Sequence, residues 1–211
     1  MNQKERAIYY YLNAKKNVVD CGFHSEVAWQ EAQTTDEISQ KEFLAEYAWV
    51  VLSSGMRETV IRNKFGELSE LFNHWDKSEM TNGDKRTLRR KALKIFNHNG
   101  KIEAILTMIQ FLAATSFSVV INDIQQDGVS SLQKFPYLGP ATSLHFAKNL
   151  GFDVAKPDRH LVRISKAFGY ECPSSLCSDI AEYTGEKKSV IDIVLWRFAT
   201  INKNYLKPSF F

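Results

Sequence analysis

Apolar residues recur at helical spacing along almost the whole chain, and that periodicity leaves little room for anything but packed helices. Phe43, Leu44, Tyr47, Ala48 and Val51 form one apolar face, Ile61, Phe65, Leu68, Phe72 and Trp75 a second, and Ile191, Val194, Leu195 and Phe198 a third. No alternating pattern of useful strand length competes, and only five prolines occur in 211 residues. Turn signals such as Asn82-Gly83-Asp84 and Asn97-His98-Asn99-Gly100 punctuate the helices. No repeat, proline-rich linker or low-complexity segment interrupts them, so the expected fold class is all-α. The uncharged run from Ala104 to Asn122 contains Thr107, Gln110, Thr115, Ser116 and Ser118 and has no flanking aromatic and basic belt. It reads as a buried central helix bent near Thr115-Ser116 rather than as a membrane span.

Near the middle of the chain, Phe135-Pro136-Tyr137-Leu138-Gly139-Pro140-Ala141-Thr142 reads as a tight turn opening a helix. Pro140 has a preset φ and no N–H, which suits a first helical turn. Leu144, Ala147 and Leu150 then recur at helical spacing, and Gly151 stands where a left-handed cap is expected, giving a short helix from about Pro140 to Leu150. Upstream, Asp127 to Phe135 predicts a turn, a capping serine and one or two helical turns. Downstream, a helix with Leu161, Ile164, Ala167 and Phe168 on one face restarts after Pro157 and closes near Gly169, with Asp158 at its N-terminus. An aspartate at a helix start is most often a cap that accepts orphan backbone N–H bonds.

The arrangement nevertheless resembles the helix-hairpin-helix (HhH-GPD) DNA glycosylase superfamily. Phe135-Pro136-Tyr137-Leu138-Gly139 falls on its Leu-Pro-Gly-x-Gly-like turn, Asp158 on its catalytic aspartate, and His160 and Arg163 on the His and Arg that commonly follow. In organisation the resemblance covers about Phe43 to Arg163, and it is specific over Phe135 to Arg163. Val51-Leu52-Ser53-Ser54-Gly55-Met56-Arg57-Glu58 looks like the segment that ends a helix and faces the flipped base, with Gly55 where a glutamine often stands. By resemblance, Tyr137, Leu138, Gly139, Ala141, Thr142, Lys156, Arg159 and Arg163 would contact DNA. Ser54, Gly55, Met56 and Arg57 would form the base pocket or wedge, Asp158 would be catalytic, and His160 would support it. The whole chain, 1–211, would be a single such unit. One lobe would comprise about residues 1–40 and 160–211, the other about 41–159 with the hairpin at 130–150.

Two departures sharpen the expectation. Tyr137 replaces the first hairpin glycine, where a bulky residue is strained at φ > 0, so a variant turn is expected. Ala141 stands where bifunctional members carry the Schiff-base lysine, and a methyl group forms no imine. The resemblance therefore implies a monofunctional DNA glycosylase acting on a damaged or modified base in double-stranded DNA. Two alternatives stay open: a non-enzymatic module that binds DNA structure, and a glycosylase/lyase using another lysine such as Lys134 or Lys148.

Charge and cysteine content fit this reading without requiring it. Net charge is +3 with a sequence pI near 8.6, so phosphate affinity must come from where the cations sit. Lys85, Arg86, Arg89, Arg90, Lys91 and Lys94 lie on one expected helix, with Arg86, Arg90 and Lys94 along a stripe. Lys156, Arg159, Arg163 and Lys166 surround Asp158. Cys21, Cys172 and Cys177 are an odd number without an N-terminal signal peptide, which points to a reducing compartment: bacterial cytoplasm at the nucleoid, or a nucleus. Only Cys172 and Cys177 lie where some relatives hold a four-cysteine iron-sulfur cluster, and the five histidines show no metal-ligand spacing. No cofactor, no membrane contact and a monomeric state are expected.

Overall fold

The computed structural model describes residues 1–35, 38–76 and 84–207. Among these are eleven α-helices and no strand. In chain order they are α1 (Gln3–Asp20), α2 (His24–Ala32), α3 (Gln40–Ser53), α4 (Glu58–Leu71), α5 (Lys85–Ile95), α6 (Asn99–Ala114), α7 (Phe117–Asp127), α8 (Pro140–Asn149), α9 (Arg159–Ala167), α10 (Pro173–Thr184) and α11 (Lys188–Ile201). A 3-10 segment, Val129–Lys134, precedes the predicted hairpin. The all-α expectation holds.

Two compact units are formed, Met1–Thr35 with Ala147–Phe211, and Asp36–Phe146. The sequence reading placed the second boundary near residue 159, whereas 147–159 clusters with the terminal segments. Ala155, Leu161 and Ile164 belong to the core of that unit, and Asp192 on α11 accepts a hydrogen bond from the Lys156 amide at 2.6 Å. These ties bring Asp158 into the terminal unit. Its core is built on Tyr10, Tyr11, Leu176, Ile191, Val194, Leu195 and Phe198. The Tyr10 hydroxyl donates to the Tyr205 carbonyl at 2.9 Å, fastening the C-terminal segment to α1.

The middle unit is organised around α3, whose Phe43, Leu44, Tyr47, Ala48 and Val51 are fully buried as their spacing predicts. Ser39 and Glu42 close a capping box at its start. Phe43 meets Phe146 and Phe117 edge-on, so the helix after the hairpin is keyed into the core by an aromatic contact. The uncharged run divides into α6 and α7, bent by 105° at Thr115-Ser116, and no single helix among the described residues is long and apolar enough to cross a membrane.

Periodicity misleads at two places. Trp75 joins the face of Ile61, Leu68 and Phe72, but α4 has already ended. Asn73, His74 and Trp75 make a left-handed turn (φ 46°, 51° and 66°) that lays the indole against Phe72 and Phe65. Ala167 is exposed and Ser165 takes the buried place on α9, its hydroxyl donating to the Leu161 carbonyl. Of the two turn signals, Asn82 and Gly83 lie outside the described residues. Asp84 caps α5 and His98 caps α6.

Candidate functional site

The hairpin begins where the 3-10 segment ends and is pinned by the two apolar residues that flank its tip. Phe135 and Leu138 are buried, while Pro136, Tyr137, Gly139 and Pro140 are exposed between and after them. The Leu138 amide closes the turn on the Phe135 carbonyl at 3.1 Å. Tyr47, buried on α3, donates its hydroxyl to the Pro136 carbonyl at 2.9 Å. The Thr142 hydroxyl braces the far side on the Tyr137 carbonyl at 2.8 Å. Tyr137 itself has φ 65°, the left-handed conformation that a glycine would adopt without strain. The expected departure of the turn is therefore in its side chain and not in the sign of φ at this position. Leu138 was expected at the DNA surface, but its side chain is core, so any contact there falls to main chain. The first amides of α8, at Ala141 and Thr142, have no carbonyl four residues back within the helix and are oriented as helix N-termini present themselves to anions.

What the Tyr137 ring touches explains how the strain is tolerated. It lies edge-on to His98, 6.3 Å between centroids, and a side chain at Gly100 would collide with its hydroxyl. The first turn of α6 thus receives the hairpin. On the same turn, Lys101 is buried and its ammonium donates to the carbonyls of Leu52 and Ser54 at 2.7 and 2.6 Å. Burial lowers its pKa from the usual lysine value. Leu52 and Ser54 lead into the predicted wedge loop, where Gly55 takes φ 69°, Met56 is 41% exposed, Arg57 is exposed and Val60 follows one turn on at 38%. Hairpin and wedge loop are therefore tied to one helical turn, His98 to Lys101. Sequence reading missed Lys101, although a lone charge on the face of Ile105 and Met108 was the available signal.

The second group of candidates lies in the terminal unit. Asp158 caps α9 with one oxygen: Oδ1 accepts from the amides of His160 and Leu161 at 2.8 and 2.9 Å. Oδ2 has no described partner, and the residue is half-buried. Arg159 and Arg163 stand one turn apart on the exposed face of α9. Arg159 Nε lies 3.3 Å from His160 Nε2 and Tyr205 Oη 3.2 Å from Nδ1. Because the guanidinium can only donate, Nε2 accepts and the ring proton belongs on Nδ1. Burial first, and the charges of Arg159 and Arg163 after it, push the His160 pKa down, opposed by Asp158.

The loop that carries Asp158 is anchored from beneath. Lys148, at the end of α8, is buried and ion-paired with Asp192, equally buried on α11. Asp192 also accepts from the Lys156 amide, and the Lys156 carbonyl accepts from the Asp158 amide at 2.8 Å. Burial pushes the Asp192 carboxyl up, while the Lys148 charge and the Lys156 amide pull it down. Gly151, at φ 91°, caps α8 where predicted, and its bare α-carbon lies so close to the Thr34 backbone that a side chain would clash. Of the alternative lysines, Lys148 is thus committed to Asp192 and Lys134 pairs with Asp123 at 3.1 Å. Cys172 is half-exposed and Cys177 is buried in the core.

This all-α architecture with its hairpin is the helix-hairpin-helix (HhH-GPD) glycosylase fold. Among solved structures the chain is similar to the 8-oxoguanine glycosylase/lyase of Methanocaldococcus jannaschii, crystallised with a 15mer DNA containing 8-oxoguanine. The TM-score is 0.61 at 18% identity, over 90% of this chain and 97% of that one. No protein-family model and no curated protein sequence matches the chain.

Proposed function

We propose that the protein is a monofunctional DNA glycosylase that hydrolyses the N-glycosidic bond of a damaged or modified base turned out of duplex DNA. The observation that carries this reading is Asp158, with one oxygen fixed by two amides and the other without a described partner. Two N–H bonds to Oδ1 hold the carboxylate in one orientation, so stabilising charge can be aimed without reorganisation. In the reaction the glycosidic bond breaks with its electron pair leaving on the base. Positive charge grows at the sugar, and the Asp158 carboxylate stabilises it. A water then adds at the anomeric carbon and gives its proton to Asp158.

The remaining candidates hold the substrate. Main-chain amides at the hairpin and the start of α8 suit a phosphate without reading sequence. Met56, exposed beside Val60 and Arg57, suits a wedge that fills the space a flipped base leaves. Arg159 and Arg163 add cations on the exposed face of α9. Hydrolysis rather than imine chemistry is supported by Ala141 and by the ion pairs that occupy Lys134 and Lys148. The structural neighbour makes a duplex with 8-oxoguanine the first substrate to try, followed by alkylated, deaminated and hypermodified DNAs. Free base is to be identified by mass spectrometry under single turnover. Asp158→Asn is expected to slow release about 10²–10⁴-fold while DNA affinity stays within about threefold. Unchanged release by that variant removes Asp158 from the mechanism.

A further inference from the structure

Helix α5 (Lys85–Ile95) carries six cations, and its two sides are treated differently. Lys85 and Arg89 turn to Glu103 on α6, at 2.9 and 3.4 Å, and Arg89 also donates to Asn99 at 2.6 Å. Those two charges are answered within the protein. Arg86, Arg90 and Lys94, successive at four-residue spacing, are exposed and have no ion pair among the described residues. Asp84, whose carboxylate feels the Arg90 charge, is spent on capping the amides of Arg86 and Thr87. Like charges one helical turn apart destabilise a helix, so this row costs the isolated protein something and fits an anion brought from outside.

The row also leads to the hairpin's support. Four residues beyond Lys94 stands His98, which caps α6 and meets the Tyr137 ring. All of these residues belong to one unit. At 1.5 Å per residue the row spans about 12 Å, against about 3.4 Å of duplex axis per phosphate on one strand, a match to roughly three phosphates.

We infer that the outer face of α5 is a second contact surface for the sugar-phosphate backbone, engaging phosphates of the same duplex away from the nucleotide held at the hairpin. This inference rests on the proposal that duplex DNA is the substrate. The surface reads no sequence, and it sets the length of duplex that binds with full affinity.

The test compares the wild type with Arg86→Gln/Arg90→Gln/Lys94→Gln. A control, Lys16→Gln/Lys203→Gln/Lys207→Gln, has the same net charge altered at exposed sites in the other unit. Binding to an unmodified duplex of about 30 base pairs is measured across a salt series, with helicity checked by circular dichroism. Glutamine keeps good helix propensity, so folding should persist. Loss of three phosphate contacts should make the slope of log K against log salt shallower by about 2–3, with binding at least about tenfold weaker near 50 mM salt. The control should keep the wild-type slope. An α5 variant with the wild-type slope, or a control that loses as much, overturns the inference. Because the readout is binding, it separates from catalysis. A slope change in a protein that releases no base leaves this surface standing and removes the glycosylase reading, and base release with no slope change does the reverse.

Discussion

The hairpin and the Asp158 loop are both held rigid, by opposite physical means. Around the hairpin the supports are neutral: a tyrosine hydroxyl on Pro136, a threonine hydroxyl on Tyr137, an aromatic edge on His98 and a missing side chain at Gly100. Under Asp158 the support is a buried ion pair, Lys148 with Asp192, that reaches the carboxylate through the Lys156 peptide. The buried pair fixes the loop in place, and the Asp158 charge reaches as far as Asp192. The element proposed to grip DNA is held by shape, and the element proposed to react is held by charge.

That contrast can be broken from the charged side with the largest effect. Lys148→Met leaves Asp192 buried without its partner, and thermal unfolding should show a loss of about 3–5 kcal/mol. Lys148→Met/Asp192→Leu should recover much of it, because two apolar groups of similar volume no longer strand a charge. If the double variant is as unstable as the single one, the loss comes from the Lys156 amide left without its acceptor and not from a stranded charge.

From the neutral side the effect is smaller and has a different sign pattern. Both Tyr137→Ala and Tyr137→Gly lose the ring contact with His98, but alanine keeps the left-handed strain and glycine relieves it. The glycine variant should be the more stable of the two by about 1 kcal/mol in denaturant unfolding. Equal stabilities would mean that φ 65° at this position carries little strain. Gly100→Ala should push the tyrosine hydroxyl aside and weaken DNA binding severalfold in a titration, since the hairpin loses its seat on α6.

The smallest effect is on pH dependence. His160 has its pKa lowered in the folded protein, so the unfolded chain binds the proton more readily. Stability should therefore rise with pH through the window below about 6.5 and level off above it. His160→Gln should flatten that slope, and an unaltered pH profile would show that the imidazole is not held neutral by its burial and the adjacent arginines.

What could be read from the sequence divides along the same line. Features encoded by neighbours in sequence were legible: the start of α8 at Pro140, the cap at Gly151, the break between α6 and α7, and Asp158 at a helix start. Features made by residues far apart were not. Lys101 reaches carbonyls 47 and 49 positions away, and Lys148 reaches Asp192 across 44. The local trace is slight: for Lys101 it is a lone charge on the face of Ile105 and Met108, which does not name its partners. The turn at Asn73 to Trp75 escaped for another reason: Asn73 and His74 are residue types that tolerate the left-handed region, but no glycine marks the turn and Trp75 continues the apolar spacing of α4. Leu138 is named a DNA contact by resemblance alone; its side chain is buried in the core, which leaves its main chain for that role.

The central claim is hydrolysis by Asp158 without a lysine imine, and it is tested most directly by following both products of one reaction. Wild-type protein is incubated under single turnover with the duplex whose base it releases best. Free base is quantified by mass spectrometry, strand integrity by denaturing gel, and a parallel sample is treated with borohydride. The account predicts free base, an intact abasic strand and no covalent adduct. No base released from the full range of modified DNAs, or a borohydride-trapped protein–DNA adduct, would contradict it.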